Sequence, residues 1–149
     1  MVTWGAFETE EPDLASYGRE RIDRRVSFLA TIRGDGGPRV HPVTPWILDE
    51  HLYVRMYETS PKVADLARDP RYALHSMMDN DEGDGGECAV RGRAEGIHDL
   101  DVISTAYAAV GDLNDRPLVL FELLVDEVVT TTYPGEATER HRWRSPTND

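Results

Sequence analysis

Cysteine is nearly missing from this chain: Cys88 stands alone, so no internal disulfide can form and a reducing compartment is expected. Long apolar runs are missing too. Nothing approaches the roughly 18 to 20 consecutive residues of a membrane span, and Met1 to Glu11 is acidic where a leader would be basic. A cytoplasmic protein with no membrane partner is the expectation. Positive charge is scarce, with 16 basic residues against 28 acidic ones and a formal net charge of −12. Such a chain repels phosphate backbones, so nucleic acid is not an expected partner and a small molecule is. Metal-ligand spacing is lacking as well. His41, His51, His75, His98 and His141 form no H-x-x-x-H pair, and one cysteine makes no C-x-x-C, so no metal site is expected. Neither a G-x-S-x-G elbow nor a G-x-G-x-x-G turn occurs, which removes the support for nucleophilic hydrolysis and for the dinucleotide fold. The last scarcity is of lysine: of the 16 basic residues, fifteen are arginine and one is Lys62.

What the chain does have is 149 residues and 40% hydrophobic content, enough for a single domain spanning 1–149. Its first 25 residues read as an N-terminal helical arm. Pro12 to Arg25 supplies the helix, with Leu14, Tyr17 and Ile22 as inward candidates. Val26 to Arg33 places Val26, Phe28, Ala30 and Ile32 on one face. The turn cluster Gly34-Asp35-Gly36-Gly37 then predicts a hairpin with the run Pro38 to Trp46. After a turn at Asp49-Glu50, the alternation of Leu52, Val54 and Met56 adds a third strand, giving an antiparallel meander. Ser60 and Pro61 start a short helix that Asp69-Pro70 stops. Strands follow at Tyr72 to Ser76 and Cys88 to Ile97, separated by the acidic, glycine-rich tract Asp79 to Glu87, which reads as a solvated loop without a calcium-loop pattern. Asp99 to Val110 is a helix ended by Gly111. Two last strands, Leu118 to Val125 and Val128 to Tyr133, precede a polar tail over 134–149. About seven strands and three short helices with brief connections predict a mainly β, small antiparallel barrel.

Two segments carry candidate chemistry. Thr59-Ser60-Pro61-Lys62 brings a hydroxyl, helix-start amides and an ammonium together, the groups a phosphate needs. An ordinary Ser cap beside a solvated lysine is the alternative. The run Pro38 to Trp46 has Pro38, Pro42 and Pro45 where a central strand needs donors. It reads as a proline-protected edge, or as a strand whose free backbone groups face a planar ligand. Arg39, His41 and Val43 share one of its faces, and Val40, Pro42 and Thr44 the other. Arg91 and Arg93 project from one face of their strand, as a solvated face or across an interface between two copies.

Three passages, VSFLATIRGDGGPRVHPVTPW, LYVRMYETSPKVADLARDPRYALHS and VRGRAEG, taken in order, resemble the pyridoxamine 5′-phosphate oxidase-like, flavin-binding split-barrel superfamily, including its relatives that use the deazaflavin F420. The resemblance runs from about Ile22 to Ile97 and extends less closely through the tail to Arg144. It implies a split antiparallel β-barrel with short flanking helices, forming a homodimer with FMN at the interface and moving hydride to or from a small organic substrate. F420 is the alternative cofactor, and a non-catalytic flavin or haem binder the alternative role. By position it assigns Arg39, Val40, His41, Pro42, Val43 and Thr44 to the strand beside the ring, and Arg55 and Met56 to the next strand. Ser60 and Lys62 take the phosphate anchor, Glu87 a contact from the neighbouring subunit, and Trp143 a place in an R-W-R ending. Pro61 and Met56 stand where an arginine and a hydroxyl are common in the family. The tail lacks the arginine two residues before His141, where Glu139 stands, so vitamin B6 oxidation is not the implied activity.

Overall fold

The computed structural model describes residues 1–111 and 116–146, so positions 147–149 of the expected tail lie outside the described residues. The elements run α1 (Trp4–Glu10), α2 (Pro12–Ile22), β1 (Ser27–Ile32), β2 (Pro38–Val43), β3 (Trp46–Leu48), β4 (His51–Tyr57), α3 (Pro61–Arg68), β5 (Arg71–Ser76), β6 (Glu87–Ile97), α4 (Leu100–Ala108), β7 (Leu118–Thr132) and β8 (Glu139–Arg144). The mainly β, antiparallel architecture expected from the sequence is the one observed. Local signals explain most of the boundaries. Asp35 accepts the Gly37 N–H at 2.9 Å in the β1–β2 turn, where Gly36 takes a φ of 84°. Asp99 caps α4 through the Asp101 and Val102 amides.

The strands form one eight-stranded sheet in the order β2-β1-β5-β6-β7-β4-β3, with β8 added to β7. Its two ends, β2 and β3, are consecutive in the chain and joined only by Thr44 and Pro45. A link that short spans roughly 11 Å, so the sheet must curl until its ends meet at one corner. The result is a barrel open along the β2/β3 seam. Residues of α1 and α2, including Trp4, Phe7, Ala15 and Ile22, are buried in one core with Leu29, Leu52, Val54, Leu74, Val90, Leu123 and Val125. A smaller cluster of Trp46, Tyr53, Ala106 and Leu120 lies under α4.

Several expectations are corrected. The meander is absent, because Thr44-Pro45 breaks Pro38 to Trp46 into strands at opposite ends of the sheet. The two strands expected between Leu118 and Tyr133 are one 15-residue strand, Leu118–Thr132, since Asp126 is accommodated as a bulge opposite the Arg91–Gly92 step. Much of the tail is a strand, β8, paired along β7. The N-terminal arm holds two helices. In α2, Ala15, Gly18, Arg21 and Ile22 are buried, while Leu14 and Tyr17 are half-buried. The inward residues of β1 are Ser27, Leu29 and Thr31, which leaves the Val26, Phe28 face outside. The acidic loop is strapped down: Arg21 grips Asp79 at 2.9 and 3.1 Å, and the Tyr17 hydroxyl donates to the Gly85 carbonyl at 2.6 Å.

Candidate functional site

The open seam is a cleft in two parts. The wider part, about 460 Å³, is lined by Arg24, Pro42, Val43, Thr44, Pro45, Trp46, Arg55 and Val110. A narrower part of about 210 Å³ is lined by Pro42, Val43, Arg55, Met56, Tyr57, Ser60, Lys62 and Leu118. The two share Pro42, Val43 and Arg55, so they are continuous. Among the described residues, no carboxylate lines either part.

Lys62 sits in the first turn of α3 and is only 8% exposed. Among the described residues it has no carboxylate partner, and its Nζ meets Nδ1 of His41 at 3.3 Å. For an ammonium to donate there, His41 must be neutral and carry its ring proton on Nε2. Burial, then the nearby Arg39 charge, pull the Lys62 pKa below its ordinary value. Burial, then Lys62 and Arg39, do the same to His41. Ser60, the residue before α3, makes no side-chain capping bond. A buried cation beside an uncommitted hydroxyl fits an incoming anion, because desolvating a charge costs several kcal/mol unless a partner compensates it.

Arg39 is committed elsewhere. Its Nε donates to Asp65 Oδ2 at 2.6 Å, and Asp65 also accepts from Thr31 Oγ1 at 2.8 Å and Arg68 Nη2 at 3.2 Å. Burial would raise the Asp65 pKa, but these donors hold it below the usual carboxylate range. Arg55 donates from Nη1 to the Gly111 carbonyl at 2.7 Å and lies over the Trp46 and Tyr107 rings. The seam itself is pinned from α2. The Asp23 carboxylate accepts the Ile47 N–H at 2.8 Å, and the Arg24 N–H donates to the Pro45 carbonyl at 2.9 Å.

Of the residues singled out in the sequence, Pro42, Val43, Thr44, Arg55, Met56, Ser60 and Lys62 line the cleft, and His41 meets it through Lys62. Arg39 stands behind it on Asp65. Val40 points away, 59% exposed on the outer face of β2. Glu87, at the start of β6, lies 3.9 Å from His75 Nε2 and lines no part of its own chain's cleft. Trp143 is buried in the core, where it packs on Phe7 and its Nε1 donates to Glu10 at 2.9 Å. The sequence reading missed Asp65, Trp46 and Arg24. Asp65 follows Lys62 by three residues on a helix, a visible spacing. Arg24 gives no local signal, since only the seam brings it to the cleft.

No family model matches the sequence, and no curated protein matches it. Solved structures do. A Listeria innocua protein provisionally assigned as a pyridoxamine 5′-phosphate oxidase superposes with a TM-score of 0.62 at 16% identity, covering 81% of this chain and 97% of its own. The fold is that of the pyridoxamine 5′-phosphate oxidase-like split barrels. An F420 reductase shares this split barrel with a TM-score of 0.55 at 20% identity, over 72% of this chain and 91% of its own. A haem-binding protein from Mycobacterium smegmatis does so with a TM-score of 0.63 at 20% identity, over 88% of this chain. Only 58% of that protein is covered, so the split barrel described here spans little more than half its length. In the split barrel of this chain, the split is the β2/β3 seam.

Proposed function

We propose that the cleft binds a flavin-type cofactor, FMN in the first place, and that the protein moves hydride to or from a small organic substrate. The observation carrying this reading is Lys62, a buried ammonium without a carboxylate partner among the described residues, lining the same narrow cleft as Ser60, whose hydroxyl makes no capping bond. Ser60, Lys62 and the first turn of α3 would hold the phosphate. Pro42, Val43 and Thr44 would lie along the ring, with Pro42 and Val43 keeping water off one of its faces. A bound flavin or deazaflavin supplies the hydride chemistry, so the chain needs no triad of its own. The outward Val26, Phe28 and Val40, 45%, 41% and 59% exposed, make an apolar sheet face suited to a second copy, which supports a homodimer. No helix among the described residues is long and apolar enough to cross a membrane, and the buried free thiol of Cys88 supports a reducing, cytoplasmic setting.

The test is an absorbance spectrum of the purified protein, then titration with FMN and with F420. Lys62→Ala should weaken the retained cofactor by about tenfold or more, since a charge-assisted contact is worth roughly 1.5 to 3 kcal/mol. Equal affinity in the variant removes the anchor. F420 is the second reading: Arg55, which lines both parts of the cleft, carries positive charge beyond the Lys62 end, where a longer anionic tail finds a partner, and an F420 reductase shares the fold. A haem band, or a bound flavin that NAD(P)H and acceptors leave unchanged under anaerobic conditions, would instead favour a carrier.

A further inference from the structure

We infer that the wide part of the cleft is a second anion station, which takes a small planar substrate bearing a carboxylate and orients it through Arg24. The inference rests on the cofactor reading above and names the substrate class of the same site.

Ion pairing elsewhere in the molecule makes Arg24 conspicuous. Arg19 pairs with Glu8, Arg21 and Arg25 with Asp79, Arg33 with Asp35, Arg39 and Arg68 with Asp65, and Arg71 with Asp69. Glu127 alone serves Arg91, Arg142 and Arg144. Against that pattern, Arg55, Lys62 and the exposed Arg24 have no carboxylate partner among the described residues and all three line the cleft, whereas Arg93 and Arg140, which also lack one, lie on β6 and β8 and line neither part of it. In a chain of net charge −12, cations gathered in a cleft whose described lining holds no carboxylate mark a place where negative charge arrives from outside.

The three cations divide by position. Lys62 lines only the narrow part, Arg24 only the wide part, and Arg55 both. An anion on Lys62 therefore leaves Arg24 to a different negative group. Arg24 is also placed with care. It holds a left-handed φ of 55°, unusual for a residue with a side chain, and its N–H is fixed to Pro45. Its guanidinium, meanwhile, makes no hydrogen bond to any described residue. Beyond Pro42, Val43 and Thr44, which the ring would use, Pro45, Trp46 and Val110 give the same space apolar walls. Trp46 itself is only 1% exposed, so this wall is held firmly by the core behind it. Apolar walls with a cation among them select a flat apolar body with an anionic substituent, which the planar guanidinium can grip through two oxygens.

The test uses protein loaded with whichever of FMN or F420 it retains, titrated with benzoate and with its neutral analogue benzamide while the cofactor absorbance is followed. Benzoate should bind at least tenfold more tightly than benzamide. Arg24→Gly, which suits the left-handed backbone and so keeps the fold, should abolish that preference while leaving cofactor affinity unchanged; Arg24→Lys should restore part of it. Equal response to both probes, or a preference that survives Arg24→Gly, overturns the inference while the cofactor reading stands. Loss of cofactor affinity in Arg24→Gly comparable to that in Lys62→Ala overturns it too, by assigning Arg24 to the cofactor. Protein that binds neither FMN nor F420 defeats both readings at once.

Discussion

At the scale of single residues, the site turns on how Lys62 and His41 share one proton inventory. The ammonium donates to Nδ1 of His41 at 3.3 Å, which requires a neutral ring. Burial, then Lys62 and Arg39, accordingly hold the His41 pKa below its ordinary value of 6.5. The sign of the linked effect follows. As pH falls below 6.5, the unfolded chain takes up this proton before the folded one does, so stability declines through that window and is unaffected by this group above it. A phosphate placed on Lys62 reverses the balance, because a neighbouring anion favours the protonated imidazole. An NMR titration of the His41 ring should therefore give a value below 6.5 in ligand-free protein and a higher one with FMN or inorganic phosphate. A ring titrating at or above 6.5 without ligand would contradict the Lys62–His41 pair. Lys62 was legible in the sequence because it is the lone lysine and sits at a helix start. Trp143 was misread because R-W-R gives no sign of which residue faces inward, and Arg24 was invisible because its role depends on Pro45, 21 residues away in the chain.

At the scale of elements, local chemistry announced what it alone determines. Gly34 to Gly37 marked the hairpin, Ser60-Pro61 the start of α3, and Asp99 with Gly111 the limits of α4. Features set by distant partners were hidden. Asp126-Glu127 looks like a turn, yet Asp126 is a bulge within β7 and Glu127 is kept in place by Arg91, Arg142 and Arg144. That bulge has a requirement on the facing strand, where a Cβ on Gly92 would overlap the Leu124 carbonyl oxygen. Backbone cannot yield there as a side chain would. Gly92→Ala should cost roughly 1 to 3 kcal/mol, seen as a lower denaturant midpoint, and an unchanged midpoint would show that the bulge relaxes freely. The division of Pro38 to Trp46 into β2 and β3 was likewise hidden. Three prolines signalled interrupted pairing, but not that the interruption is where the barrel opens, nor that the opening is the candidate site.

For the whole molecule, the outer sheet face connects the fold to the cleft. Phe28 stands opposite Pro42 and His75, and Ala30 opposite Val40 and Ala73, so the exposed Phe28 of β1 and Val40 of β2 share one surface. Next to it, Arg91, Arg142 and Arg144 concentrate positive charge around Glu127 in a molecule that is otherwise strongly acidic. A second copy packed on this face would cover Val40 and Phe28 and bring residues such as Glu87, which line nothing in their own chain, near a cleft they did not build. If the homodimer is the working form, Val40→Glu places a charge in the middle of the covered face, where its desolvation is uncompensated. Light scattering should then report half the molar mass of the parent protein, with an unchanged far-UV circular dichroism spectrum. Cofactor retention should fall along with the dimer, although Val40 itself lines no part of the cleft. A variant that becomes monomeric and keeps its cofactor would mean that one chain completes the site alone. A parent protein already monomeric would leave the apolar face without its proposed occupant.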